Sequence, residues 1–297
     1  MAEIQEIITG EITGLPEPIL HRILTFLPIK EAIRTSILSK AFLNASHANP
    51  TLEFSDELFF NNRFNGSSHW MWDQKLKIII EKYESFCEYV NGIVKRYHEE
   101  KTGIENFTLE LDDDQICECD SQFVERCTKV AVENGVRCLY LSIEKFIVPQ
   151  FVLGAKSPLN LRIRMCNMIM TRHDQKIMCD RLKQLHLRSV CLDDEMLHKI
   201  LKSCQLIEVV EIWNCNGLKN VNVTTKIDNL KKCTVALLNS PKVEVSLAPR
   251  LESLICWHNT TKSDGEWIPC GINLTASEYP NLKILSLRSI GRTSEIF

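Results

Sequence analysis

The chain has 297 residues, a formal net charge of −3, and hydrophobic and charged fractions of 44% and 25%. That length fits one large domain or a small domain followed by a larger one, and the composition is that of an ordinary folded protein. The charge supplies no global basic field for nucleic acid, and no apolar run nears the roughly 18–20 residues that cross a bilayer, so neither nucleic acid nor membrane is an expected partner.

The acidic N-terminus, MAEIQEIITGEITG, lacks the basic region and apolar core of a signal peptide. Thirteen cysteines are an odd number, and they run from Cys87 to Cys270 without a disulfide rhythm. They read as reduced thiols used as small buried hydrophobes, which points to cytoplasm and/or nucleus. Asn-x-Ser/Thr triplets at Asn65, Asn222 and Asn273 matter only on a secretory route.

The first dense pattern is LPEPILHRILTFLPIKEAIRTSILSK at residues 15–40. Ile19, Leu20, Ile23, Leu24 and Leu27 recur at the spacing of one helix face. Pro16 and Pro18 sit at its start, where a missing N–H costs nothing, and Pro28 stops it. A second short helix is expected over Lys30–Thr35, burying Ala32 and Ile33. A third follows Ser39 as its cap and turns Phe42 and Ala45 inward. Pro50 closes the unit. Three such helices make a small core, so the unit should lean on something else.

The segment resembles an F-box of the plant F-box/leucine-rich-repeat family, FBD type. The likeness rests on Leu15-Pro16, Ile19-Leu20, Ile23-Leu24, Leu27-Pro28, RTSILSK at 34–40 and NPTLEF at 49–54, matched without a gap. It implies docking onto a Skp-type adaptor and, through it, cullin, with Leu15, Pro16, Ile19, Leu20, Ile23, Leu24, Leu27, Pro28, Ile33 and Leu38 as the adaptor-binding set. The chain departs from the family at Ala41, Phe42, Leu43 and Ser46, where relatives carry Arg-Trp-Arg and a later Trp. Ser46 in place of Trp removes an apolar contact of roughly 3 kcal/mol if that site is buried.

Residues 56–72 mix Asn, Gly and Ser with aromatics and read as a ring-anchored loop. From Asp73 to about Glu99 the pattern is helical. Leu76, Ile79, Ile80, Tyr83, Phe86, Cys87, Val90, Ile93, Val94 and Tyr97 form its apolar stripe, and Asn91-Gly92 is a candidate kink. A repeat then sets in: IENFTLEL from 104, VRCLYLSI from 136, LKQLHLRSV from 182, IEVVEIWNC from 207, LESLICWH from 251 and LKILSLRSI from 282, with degenerate members near Leu161 and Leu230. The shared apolar-x-x-apolar-x-apolar motif, at a period within or near about 20–29 residues, is that of leucine-rich repeats.

Helical pieces are expected between the strands. DDEMLHKILKSC offers Asp193 as cap and Met196, Leu197, Ile200, Leu201 and Cys204 as buried face; SQFVERCTKVAVENG ends on Gly135 at a C-cap. Cys215 occupies the repeat position that often takes Asn or Cys. The fold class is therefore α+β: a three-helix F-box, a helical connector, and an α/β solenoid with a parallel sheet. The expected divisions are a tail at 1–10, the F-box at 11–55, loop and connector helix at 56–101, and repeats at 102–297, with C-terminal truncation left open because the last repeat shows no polar cap.

In this register the alternate strand residues face out from a concave surface: Cys138 and Tyr140; Gln184, His186 and Arg188; Val209, Glu211 and Trp213; Ser253, Ile255 and Trp257; Ile284, Ser286 and Arg288. His186, Arg188, Trp213, Trp257 and Arg288 are the candidate client-binding residues, the tryptophans first because Trp and Arg dominate binding hot spots.

Catalytic and metal chemistry find little support. Cys117-x-Cys119 with Cys127 has no second Cys/His pair at a zinc spacing, and ELDDDQ at 110–115 lacks the EF-hand pattern. No phosphate loop, GxSxG or HExxH occurs, so no metal, cofactor or enzymatic activity is expected. The expected function is a substrate-recognition adaptor of a Skp–cullin–F-box ubiquitin ligase. The rivals are an F-box scaffold acting outside a ligase, and a hydrolase or transferase hidden in residues 102–297.

Overall fold

The computed structural model describes residues 15–24, 26–27, 31, 34–35, 39–47, 49–60, 72–111, 121–168, 177–223, 227–237, 242–245, 248–258, 272–273 and 279–289. The chain forms two compact units, Met1–Arg137 and Cys138–Phe297.

In the first unit, α1 (Glu17–Leu24) packs on α2 (Lys40–His47). Ser39 caps α2: its Oγ accepts from the Phe42 N–H at 3.2 Å. Leu20, Leu24, Phe42 and Ala45 form the shared core, with Leu15, Leu27 and Ala41 packed against it. Of the helix expected over 30–35, Glu31, Arg34 and Thr35 are helical, and Lys30, Ala32 and Ile33 lie outside the described residues. Strand β1 (Thr51–Ser55) runs straight into a short helix, α3 (Asp56–Phe60), where a loop is expected. The cause is local: Ser55 Oγ accepts from the Leu58 N–H at 3.3 Å, and Asp56 and Glu57 occupy the first turn, where negative charge suits the helix dipole.

Helix α4 (Trp72–Glu100) runs unbroken through Asn91-Gly92. Phe86, Val90, Ile93, Val94 and Tyr97 are buried, but Ile80 of the expected stripe is 48% exposed. The Tyr97 ring is fully buried and its hydroxyl donates to the Asn49 carbonyl at 2.7 Å, which ties α4 to the turn before β1. That turn also starts the sheet: the Pro50 carbonyl accepts from the N–H groups of Glu105 and Asn106 at the start of β2 (Asn106–Leu111). β1 and β2 pair in parallel, Leu52 with Phe107 and Phe54 with Leu109. Helix α5 (Ser121–Glu133) follows and turns off at Gly135, φ 81°.

In the second unit, β3 (Cys138–Ile143), β4 (Asn160–Arg164), β5 (Gln184–Arg188), β6 (Val209–Trp213), β8 (Lys232–Leu237), β10 (Ser253–His258) and β12 (Ile284–Ser289) lie side by side in that order, each paired in parallel with the next. Each strand opens alike from β4 to β12. A carbonyl on one repeat accepts two successive N–H groups from the next: Leu159, Lys183, Glu208, Lys231 and Glu252 all do this. From β4 to β6 each strand also closes alike, on a non-glycine residue in the left-handed region: Met165 (φ 58°), Ser189 (φ 53°) and Asn214 (φ 49°). Their N–H groups reach carbonyls at the end of the next strand, those of Arg188, Trp213 and, one residue before the end of β8, Ala236. Cys166 and Cys215 fill equivalent places after β4 and β6, each thiol donating two residues back, to Arg164 and Trp213 carbonyls.

The connections carry α6 (Gln150–Leu153) and α7 (Asp194–Ser203). Asp193 caps α7, accepting from the Met196 N–H at 2.7 Å, and Met196, Leu197, Ile200, Leu201 and Cys204 are buried. Further on, helices give way to a second parallel sheet, β7 (Asn220–Val223), β9 (Lys242–Val245) and β11 (Ile272–Asn273). The sequence reading assigns no strands there. Val221, Val223, Val243 and Val245 are all buried, so these β-branched residues close the core instead of a helix.

Candidate functional site

The first candidate surface is the outer side of α1. Successive helical residues point about 100° apart, so a stripe at i, i+1, i+4, i+5 is too broad to be buried whole. Leu20 and Leu24 turn fully into the core, while Ile19 and Ile23 stay 48% and 37% exposed. Pro16 is exposed, and Leu15 and Leu27 are half-buried. Of the ten expected docking residues, Leu20 and Leu24 thus hold the helix pair together rather than face outward. Pro28, Ile33 and Leu38 lie outside the described residues. Two exposed apolar side chains escaped the sequence reading of this face: Phe26, 76% exposed, and Leu43 of α2. Ser46 is buried and its hydroxyl donates to the Leu43 carbonyl at 2.8 Å, satisfied inside its own helix.

The second candidate surface is the outward face of the seven-strand run. Leu185 and Leu187, Val210 and Ile212, and Leu254 and Cys256 are buried, so the residues between them face out. Strand pairing aligns these outward residues in rows. One row reads Tyr140, Arg162, His186, Glu211, Thr234, Ile255, Ser286, and the next reads Ser142, Arg164, Arg188, Trp213, Ala236, Trp257, Arg288. Trp213 and Trp257 sit two strands apart, separated only by Ala236. Because that residue is a methyl, the rings close over it edge to face, centroids 5.4 Å apart. Arg162 and Arg188 are exposed. For Arg288 the register alone is described. The sequence reading missed Arg162 and Arg164 because their repeat, near Leu161, is degenerate.

One polar network crosses the face. Glu211 receives His186 Nδ1 at 3.0 Å on one oxygen and Lys232 Nζ at 2.6 Å on the other. Burial pushes the Glu211 carboxyl up, but the bonds from Lys232 and His186 outweigh it and hold the group below the usual carboxylate range. An ionised Glu211 fixes the proton of neutral His186 on Nδ1, which leaves Nε2 a bare acceptor; that atom is buried and has no partner.

Burial holds the His186 imidazole below its ordinary value of 6.5, Glu211 pulls the other way, and Arg162 and Lys232 add to the lowering. The unfolded chain therefore takes up this proton before the folded one. The His186 contribution to stability is complete above pH 6.5 and is lost as pH falls from there through the lower folded value. His186→Gln should make the decline of the unfolding midpoint between pH 7.5 and 5.5 shallower than in the wild type. Parallel declines in the two proteins would contradict this.

Burial raises the thiols of Cys166 and Cys215 to about 12 and about 11, which makes them poor nucleophiles. Among the described residues no group of three His, Cys, Asp or Glu side chains could hold a metal, and no helix is long and apolar enough to cross a membrane. Cys117 and Cys119 lie outside the described residues.

Comparison with known proteins matches residues 125–294 to the family described as FBD-associated F-box protein At5g56370, LRR repeats, and residues 12–51 to the F-box domain. The F-box/LRR-repeat protein At3g58900 of Arabidopsis thaliana is 28% identical over 235 residues, covering 76% of this chain and 64% of that protein. The F-box/LRR-repeat protein At3g59200 of Arabidopsis thaliana is 25% identical over 226 residues, 75% of this chain and 40% of that protein. The chain spans about two fifths of the length of most curated relatives it matches. No solved structure matches it. With the repeat model covering more than half of its length and an F-box ahead of it, the chain belongs to the FBD-associated family of plant F-box/leucine-rich-repeat proteins.

Proposed function

We propose that this chain is a substrate-recognition adaptor of a Skp–cullin–F-box ubiquitin ligase in the cytoplasm and/or nucleus. Residues 11–55 serve as a three-helix F-box, 56–101, which carry α3 and α4, as the connector, and 102–297 as a repeat solenoid whose concave face holds the client. The chain catalyses nothing itself; it raises the effective concentration of a client lysine near the charged ubiquitin carrier. The observation that carries this reading is the exposed apolar row Ile19, Ile23 and Phe26 beside a small helix-pair core, within the segment matched by the F-box model. Such a row costs solubility unless a partner covers it.

Ile19→Asp, Phe26→Ala, or Leu15→Ala with Pro16→Ala should each cut recovery of the Skp-type adaptor by about tenfold or more, the scale of an interface hot spot. Ile19 and Phe26 are exposed, so their loss leaves the helix pair intact. Full recovery with folded variants would refute docking through this face. A second reading, a scaffold outside any ligase, is favoured by Ser46, whose buried hydroxyl serves its own helix. Recovery of cullin along with the adaptor separates the two.

A further inference from the structure

The outward face of the second unit is charged against the rest of the chain. The chain carries a net −3. Yet along the outward rows from β3 to β12 the basic positions are Arg162, Arg164, Arg188, Lys232 and Arg288, against Glu211 alone. That one carboxylate is already taken, with His186 on one oxygen and Lys232 on the other. No compensating negative group is left on these rows for Arg162 or Arg188. Arg162 and Arg188 are exposed and make no ion pair among the described residues.

Two further features adjoin the arginines. Arg188 is the register partner of Trp213, so the Trp213–Trp257 pair begins one strand, about 4.8 Å, from the cationic end. In the neighbouring row, His186 Nε2 and Thr234 Oγ1 are buried without hydrogen-bond partners, two strands apart. Ser142 Oγ and Asn160 Oδ1 on the same outward rows are unmet as well, and such atoms carry a cost.

We infer that this face takes an acidic client peptide, running across the strands, with carboxylates on Arg162 and Arg188 and an apolar side chain on the tryptophan pair. Arg162 and Trp213 lie two strand spacings apart across the sheet, about 10 Å, which an extended chain covers in about three residues. A nucleic acid fits less well. The exposed arginines without ion pairs, Arg162 and Arg188, sit on two adjacent strands instead of tracking a phosphate chain, and the tryptophans pack edge to face on each other rather than standing apart as stacking platforms. This inference rests on the client-binding role of the repeats proposed above and names the chemistry of the client.

The test is fluorescence anisotropy with the full chain and a labelled peptide of about ten residues, three glutamates followed two positions later by a leucine. The comparators are the same peptide with lysine for glutamate, the same peptide with glycine for leucine, and a single-stranded oligonucleotide of equal charge. The acidic peptide should bind about tenfold or more tighter than the lysine peptide, and weaken as salt rises. Arg162→Glu with Arg188→Glu should abolish that preference while the unfolding midpoint and adaptor recovery stay unchanged. Equal binding of the two peptides, tighter binding of the oligonucleotide, or an unaffected double variant would each overturn the inference. Adaptor recovery is read separately, so those outcomes leave the ligase reading standing or falling by itself.

Discussion

Gly217→Ala should lower the unfolding midpoint of the chain by about 5–15 °C. Gly217 has φ 92°, a region that L side chains rarely occupy, and a Cβ built there would stand 2.6 Å from the Leu192 carbonyl oxygen and 3.3 Å from its carbon. That obstacle is backbone and cannot rotate away. It is also pinned, because the Leu192 N–H donates to the Asn216 carbonyl at 3.0 Å and the Asn216 N–H to the Val190 carbonyl at 2.9 Å. Just beyond, the Asp194 carboxylate takes the N–H of Lys219 at 2.7 Å and that of Asn220 at 3.0 Å, so the turn cannot swing outward. Strain of about 1–3 kcal/mol joins an overpacking cost of about 1–3 kcal/mol, and each kilocalorie moves the midpoint of a domain this size by about 2–4 °C. Gly92→Ala is the control. It lies within α4 with nothing inside 4 Å of the new methyl, and should stabilise by about 0.5–1 kcal/mol as alanine does in helices. An unchanged midpoint for Gly217→Ala would mean that the turn yields.

The parts of this structure legible in the sequence are those set by short-range pattern. The apolar-x-x-apolar-x-apolar segments mark β2, β3, β5, β6, β10 and β12, and the alternation tells inward Val210 and Ile212 from outward Glu211 and Trp213. The caps at Ser39 and Asp193 follow from residue type and position. What is not legible depends on neighbours. Val221-Asn222-Val223 alternates as a strand should, but only the adjacent Val243 and Val245 make it one, since a lone four-residue strand has no partner for its backbone. The left-handed closures at Met165, Ser189 and Asn214 carry no shared residue type, because the hydrogen bond to the next strand imposes the conformation. On α1 the period was readable, but the split between buried Leu20 and exposed Ile19 is fixed by where α2 lies. The candidate site follows the same division. Trp213 and Trp257 were placed on one face by register, yet their contact depends on Ala236 lying between them, in a repeat whose own apolar pattern is degenerate.

That contact shapes the largest functional effect expected. Trp213→Ala and Trp257→Ala should each lose client recovery by about thirtyfold, a hot-spot change of about 2 kcal/mol, while keeping the adaptor. The two losses should not add. An edge-to-face pair holds each ring in place, so removing either leaves the survivor loose and more wetted, and the double variant should lose less than the product of the singles. Ala236→Leu offers a route that keeps both rings. A side chain rising between them must push them apart, and client recovery should fall with indole area undiminished. Folding should survive the tryptophan changes, because both rings are half-buried on the outward face and the fully buried Val210, Ile212 and Leu254 beneath are untouched. The measurement is affinity purification with mass spectrometry under proteasome block, alongside thermal unfolding of each variant. Collapse of the fold in both single variants would show that the rings serve the core. Folded variants that keep every client, Ala236→Leu included, would place client capture on another surface of the repeats.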